Sequence, residues 1–144
     1  MAGSEEKTMS RIRIRALSVR QPFANMIASG EKTIETRDWR PNFRGELLIV
    51  STKFPVTPGP AGCAVAICRL ADCRRMRTAD AEAACTPWGA LLFSWILADV
   101  RRIEPFALIG RGGIWWAEVD EGQIRERANT RQRTENREQR TGQR

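Results

Sequence analysis

The stretch Gly30-Glu31-Lys32-Thr33-Ile34-Glu35-Thr36-Arg37, followed at once by Asp38-Trp39-Arg40-Pro41, constrains the local conformation more than any other part of the chain. Before it lies a segment in which Phe23, Met26 and Ile27 fall at i, i+3 and i+4, the period of a helix with one apolar face. Pro22 fits the first position of that helix. Gly30 fits its end, because only glycine enters the left-handed conformation at no steric cost. The residues after Gly30 read as a strand leaving a turn. Alternate side chains of a strand share a face, so Glu35 and Arg37 point the same way and Ile34 points oppositely, into the core. Lys32 has the wrong parity to join them. It converges with Glu35 only if the turn after Gly30 re-aims it.

Two readings of this cluster stand side by side. As an exposed set of charges it is worth well under about 1 kcal/mol. As a pocket it is a small reactive constellation. The chain has 21 arginines but only Lys7, Lys32 and Lys53, and a desolvated lysine shifts its pKa readily, which suits a base, a nucleophile or a phosphate contact. Arg20 and Gln21 stand at the helix start, whose free N–H groups favour an anion, so they can complete one rim with Lys32, Glu35 and Arg37. Trp39 reads either as a stacking surface for a base or as a core tryptophan. Arg40 adds a neighbouring cation.

Three segments together carry a resemblance: Ala16-Leu17-Ser18-Val19-Arg20-Gln21-Pro22-Phe23-Ala24, then Gly30-x-Lys32-x-x-Glu35-x-Arg37, then Arg44-Gly45-Glu46-Leu47-Leu48-Ile49. They resemble the ASCH domain, a module similar in fold to PUA domains, and all four residues of its signature are present. The resemblance covers residues 14 to about 55 closely and 61 to 119 in outline. It implies an α+β fold, a small mixed or antiparallel β-barrel of the PUA-like type with one or two short helices and a helix-lined cleft. It also implies RNA binding, with some relatives acting as nucleases or as amidohydrolases on acylated cytidines. The amidohydrolase relatives carry Lys-x-x-Thr, where this chain has Glu35 three residues after Lys32.

The 144 residues suit one domain, long enough to bury roughly two thirds of its unfolded surface. Residues 1–10 are small and polar and read as a disordered arm without a signal peptide. Arg11 to Leu17 alternates basic and apolar, a half-buried first strand whose outward arginines either track a phosphate backbone or form a charged edge that discourages aggregation. Glu46 to Thr52 is an apolar strand, and Pro55 to Pro60 breaks the chain into a loop that can line a site mouth. Gly62 to Leu70 is the next strand. Arg74, Arg75 and Arg77 open a short helical segment through Cys85, with Thr78 as its N-cap. Leu91 to Ile103 is a long strand broken by Glu104-Pro105. Gly110-Arg111-Gly112-Gly113 is a hairpin or loop, since it lacks the lysine of a P-loop, and Arg111 there is a candidate phosphate contact. Ile114 to Val119 closes the fold. The domain thus runs from 11 to 120.

No run of about 18 apolar residues exists, so the expectation is a soluble cytoplasmic protein that spans no membrane. Cys63, Cys68, Cys73 and Cys85 are spaced too irregularly for a zinc ribbon; positions 63 and 68 should face opposite sides of a strand, and all four read as small hydrophobes in a reducing compartment. No metal and no cofactor are called for. The chain has no histidine, which excludes imidazole-dependent catalysis. An enzyme built on this chain must use Lys32 and Glu35 for its proton transfers.

The formal net charge of +7 favours polyanionic partners, RNA or another nucleic acid. Its distribution is uneven: +1 in residues 1–13, +3 in 14–120 and +3 in 121–144. Residues 121–144 read as an Arg-rich tail, flexible or a frayed helix, with Ile124 its only large apolar residue. If tail and core neutralise about five phosphates of a single strand, affinity falls roughly hundredfold between about 50 and 200 mM salt. The leading expectation is nucleic-acid binding in a cleft of Arg20, Gln21, Lys32, Glu35, Arg37, Trp39, Arg40 and Arg111. The alternatives are hydrolysis of RNA or N4-acylated cytidine, and an adaptor that joins a protein partner.

Overall fold

The computed structural model describes residues 10–125. The basic and apolar alternation at its start produces β1 (Arg11–Val19), followed by the helix α1 (Phe23–Ser29) and the short strand β2 (Ile34–Arg37). Next come β3 (Gly45–Ser51), β4 (Cys63–Arg75), a 3-10 turn (Thr78–Asp80), α2 (Ala81–Ala84), β5 (Phe93–Ala107) and β6 (Ile114–Asp120). All six strands form one sheet in the order β2-β5-β4-β3-β1-β6. β1 and β3 run parallel and every other pair is antiparallel. This is the mixed α+β architecture expected, without full closure: β2 and β6 are the two ends of the sheet order and do not pair with each other.

A strand buried on both faces reads as an unbroken apolar run, and Leu47-Leu48-Ile49-Val50 is such a run at the centre of the sheet. Leu47 and Ile49 join Leu17, Val19, Trp95 and the buried face of α1 in one core. Leu48 and Val50 join Ile14, Ala16 and Ile103 in a second, on the opposite face. Ile124 completes that second core and is fully buried. Residues 121–125 are helical, and the Glu121 N–H donates to the Ser10 carbonyl at 2.9 Å. The segment read as a tail therefore begins with a docked turn; its remainder, like the arm over residues 1–9, lies outside the described residues.

Three local expectations change for identifiable reasons, and one open alternative is decided. Arg74 and Arg75 belong to β4, because they pair with Ser94 and Phe93 of β5 and do not open a helix. β5 runs through Glu104-Pro105 to Ala107, because the pairing jumps from Arg102↔Ala66 to Phe106↔Ala64 and leaves Pro105 in a bulge that asks no ladder bond of it. Bulges in β4 also place Cys63 and Cys68 against the same core rather than on opposite faces. The Gly110–Gly113 turn links β5 to β6, which are not neighbours in the sheet, so it is a crossing loop and no hairpin.

The outward arginines of β1 pair with β6 on one side only, since the parallel ladder to β3 starts at Ala16; Arg13 and Arg15 stack over Trp116 at 5.0 and 4.4 Å. All four cysteines are free, and burial pushes the Cys68 thiol up to about 12. Among the described residues no His/Cys/Asp/Glu group could hold a metal ion, and no helix is long and apolar enough to cross a membrane.

α1 ends as its sequence demands, on Gly30 in the left-handed conformation with φ 87°. A Cβ there would meet nothing within 4 Å, so the cost of Gly30→Ala is backbone strain alone. Urea denaturation of Gly30→Ala is expected to show a loss of about 1 kcal/mol with an unchanged m-value.

Candidate functional site

The turn after Gly30 is built by main-chain bonds. Gly30 N–H donates to Ile27 O at 3.0 Å, and Lys32 N–H folds back to Met26 O at 2.9 Å. Thr33 then donates to Ala83 O and accepts from Leu97 N–H, both at 3.0 Å, and the chain leaves as β2. Lys32 is thereby re-aimed inward, as its parity required. Its side chain is only 3% exposed and that of Glu35 only 8%, so the cluster is no solvated charge patch.

Lys32 Nζ donates to the Ala84 carbonyl, lies 3.6 Å from Glu35 Oε1 and sits 5.3 Å from the centroid of the Phe23 ring. Arg37 holds the other carboxylate oxygen: its Nε and Nη2 reach Glu35 Oε2 at 2.9 and 2.8 Å. Nη2 also donates to Ser18 O at 2.8 Å, which locks the guanidinium to the end of β1. Burial lowers the Lys32 pKa from its ordinary value, and the carboxylate of Glu35 opposes that shift. Two cations thus share one buried anion.

The cluster forms one wall of a cavity of about 380 Å³, lined also by Arg20, Phe23 and Thr86. That volume lies within the range of small-ligand sites. Of the residues expected from the sequence, Arg20, Lys32, Glu35 and Arg37 meet here. Gln21 does not: it is 4% exposed, and its amide donates to Asn25 Oδ1 at 3.1 Å and Pro60 O at 2.8 Å, tying down the loop that holds Pro60. Trp39 packs edge-on against Trp95, with ring centroids 4.8 Å apart, and Arg40 lies over Phe93 at 5.5 Å. Arg111 lines a neighbouring cavity.

Sequence reasoning missed Phe23, Thr86 and the Ala84 carbonyl as site components. The latter two arrive on the segment after β4, and what holds that segment is Asp80. Its carboxylate accepts from Arg74 at 2.5 and 3.0 Å, from Ser94 Oγ at 2.8 Å and from Arg77 N–H at 2.9 Å. The N-cap position is therefore Arg77, not Thr78, and the Asp80 carboxylate two residues after Thr78 reaches back to its N–H. The Arg74 guanidinium holds Asp80 well below the usual carboxylate range. Cys85 then turns the chain with φ 54°, and Thr86 N–H donates to Ala81 O at 3.2 Å.

The family model described as the ASCH domain matches residues 17–107. The chain belongs to the ASCH domain family. Membership ties it, in general terms, to a nucleic-acid-related role. The crystal structure of ASCH from Zymomonas mobilis is similar to this domain, with a TM-score of 0.55 and 16% identity over 76% of this chain and 89% of that one. A serine-to-alanine variant of the Zymomonas mobilis protein gives a TM-score of 0.54 and 16% identity over 72% and 87%. These likenesses show the ASCH fold. No curated protein matches the sequence.

The depressed pKa of Asp80 makes its contribution to stability pH-dependent, with a definite sign. The stabilisation is complete above the unfolded carboxylate value of about 3.9 and is lost as pH falls below it. Asp80→Asn is expected to cost about 2–3 kcal/mol in urea unfolding at pH 7, and the gap between variant and parent should narrow at pH 3.

Proposed function

We propose that this ASCH domain binds single-stranded RNA by receiving one base in the cavity beside α1, with Lys32 and Glu35 reading its polar edge. The observation that carries the reading is the buried Lys32–Glu35–Arg37 set opening on a cavity of about 380 Å³. An ammonium has three donors. One of them goes to Ala84 O and one is directed at Glu35, so Lys32 keeps a donor for a base carbonyl or a phosphate oxygen. Glu35 Oε1, only loosely engaged at 3.6 Å, can accept from a base amino group. A donor and an acceptor side by side match the hydrogen-bonding edge of an unpaired base. Phe23 supplies an aromatic surface at the same cavity, and exposed Arg20 offers a cation to the backbone at its mouth. Arg37 serves as the brace that keeps Glu35 aimed.

Fluorescence anisotropy with a labelled single-stranded RNA at about 150 mM salt, which screens loose electrostatics beyond roughly 8 Å, tests this reading on the full chain. Lys32→Ala and Arg37→Ala are each expected to weaken binding at least tenfold, about 1.4 kcal/mol. Unchanged affinity in both variants would assign binding to cations elsewhere in the chain.

A second reading, hydrolysis of RNA or of an N4-acylated cytidine, has its own support in the lowered pKa of Lys32. A lysine that loses its proton more easily than an exposed one can take a proton from an attacking water and hand it to Glu35, 3.6 Å away, which relays it to the leaving group. On this reading N4-acetylcytidine incubated with the protein yields cytidine by mass spectrometry, and Lys32→Ala abolishes the product. Intact substrate at high protein concentration removes that substrate from consideration.

A further inference from the structure

We infer that the base cavity is one half of a longer single-strand track, and that the adjoining groove at Ser18 takes the neighbouring nucleotide of the same strand through Lys53 and Arg111. This rests on the base-reading role proposed for the first cavity. The groove, about 430 Å³, is lined by Ser18, Ser51, Lys53, Leu108, Ile109 and Arg111, among others. Ser18 belongs to both cavities. Its carbonyl accepts from Arg37 at 2.8 Å on one side, and its hydroxyl donates to Arg111 O at 3.0 Å on the other. The two sites therefore share a wall whose two polar atoms brace both of them.

The contact is close enough to be specific. A Cβ on Gly110 would meet Ser18 Oγ at 2.6 Å, so a side chain there would push the hydroxyl off its bond to Arg111 O. The groove's surface is mostly apolar, with Ile109 82% exposed at its rim and Phe54, 73% exposed, next to Lys53 on the facing loop. Its charged side chains, Lys53 and Arg111, are both exposed cations, and neither forms an ion pair among the described residues. An apolar floor beside uncompensated cations fits a nucleotide, whose base lies on carbon and whose phosphate meets the charges. No carboxylate lines the groove, in contrast to the Glu35 cavity. The first cavity reads a base edge, whereas this one holds a base of any identity.

The test uses a labelled mixed-sequence RNA decamer and the full chain at several salt concentrations. The double variant Lys53→Ala/Arg111→Ala is expected to weaken binding at least tenfold and to lower the salt slope by about 1.4. Arg69→Ala/Arg102→Ala, which removes the same charge from β4 and β5 outside both cavities, should leave affinity within about twofold; an equal loss there would reduce the effect to net charge and overturn the inference. If Lys32→Ala weakens binding and the Lys53/Arg111 pair does not, the base cavity stands and the track is overturned. If the pair matters and Lys32→Ala does not, the groove binds alone, so the reading of the base cavity and the shared track both fail. Circular dichroism of each variant separates loss of binding from loss of fold.

Discussion

A lysine ammonium held out of water organises this domain. Burying an unpaired cation is costly enough that such a group normally neutralises or finds partners. Lys32 has three neighbours that reduce the cost, and each comes from a different part of the chain: Phe23 from α1, Glu35 from β2, and the Ala84 carbonyl from α2. Since no one element can supply them, the geometry requires the whole helix-to-sheet junction to be assembled first. Asp80 belongs to the same arrangement one layer out, because its bonds to Arg74 and Ser94 fix the segment that delivers Ala84. The ion pairs built on buried carboxylates, Glu35 and Asp80, thus support one cavity wall, whereas exposed pairs such as Arg69–Asp99 lie elsewhere.

The backbone logic of that wall was legible in the sequence, and its company was not. Gly30 as a left-handed cap, the shared face of Glu35 and Arg37, and Ile34 pointing away are consequences of short-range geometry, readable from three or four residues. The inward turn of Lys32 was legible as a requirement but not as a fact, since it depends on a bond back to Met26. Gln21 looked like a rim residue because it adjoins Arg20. Its amide is consumed by Asn25 and Pro60, a partner 39 positions away that no local pattern announces. Trp39 left two readings open, and its edge-on contact places it beside Trp95, another distant residue. The bulges that carry Pro105 inside β5 likewise arise from pairing between strands, which neither strand encodes alone.

The sheet separates structural from functional burden by face and by strand end. Its second core is wholly apolar, made of Ile14, Leu48, Val50, Ile103 and Ile124 with their neighbours, and asks nothing of charge. The first core passes at the end of β1 from Leu17 and Val19 directly into Ser18 and Arg37. A site placed there borrows rigidity from packed strands without having to be buried entirely. Ser18 is the point at which this matters, since both its main-chain carbonyl and its hydroxyl are committed to elements that line cavities.

The position of Ile124 bears on how the chain acquires its structure during synthesis. Of the described strands β1 is made first, yet it lies between β3 and β6 in the finished sheet, and β6 is made last. A ribosome releasing this chain N-terminus first exposes Ile12 and Ile14 long before Ala117, Val119 and Ile124 emerge to cover them. The α1 side, whose buried members end at Leu97, can close earlier. Vectorial synthesis would therefore assemble the lysine cavity ahead of the apolar core behind it, and a nascent chain arrested short of residue 124 would present a formed site on an open, adhesive sheet.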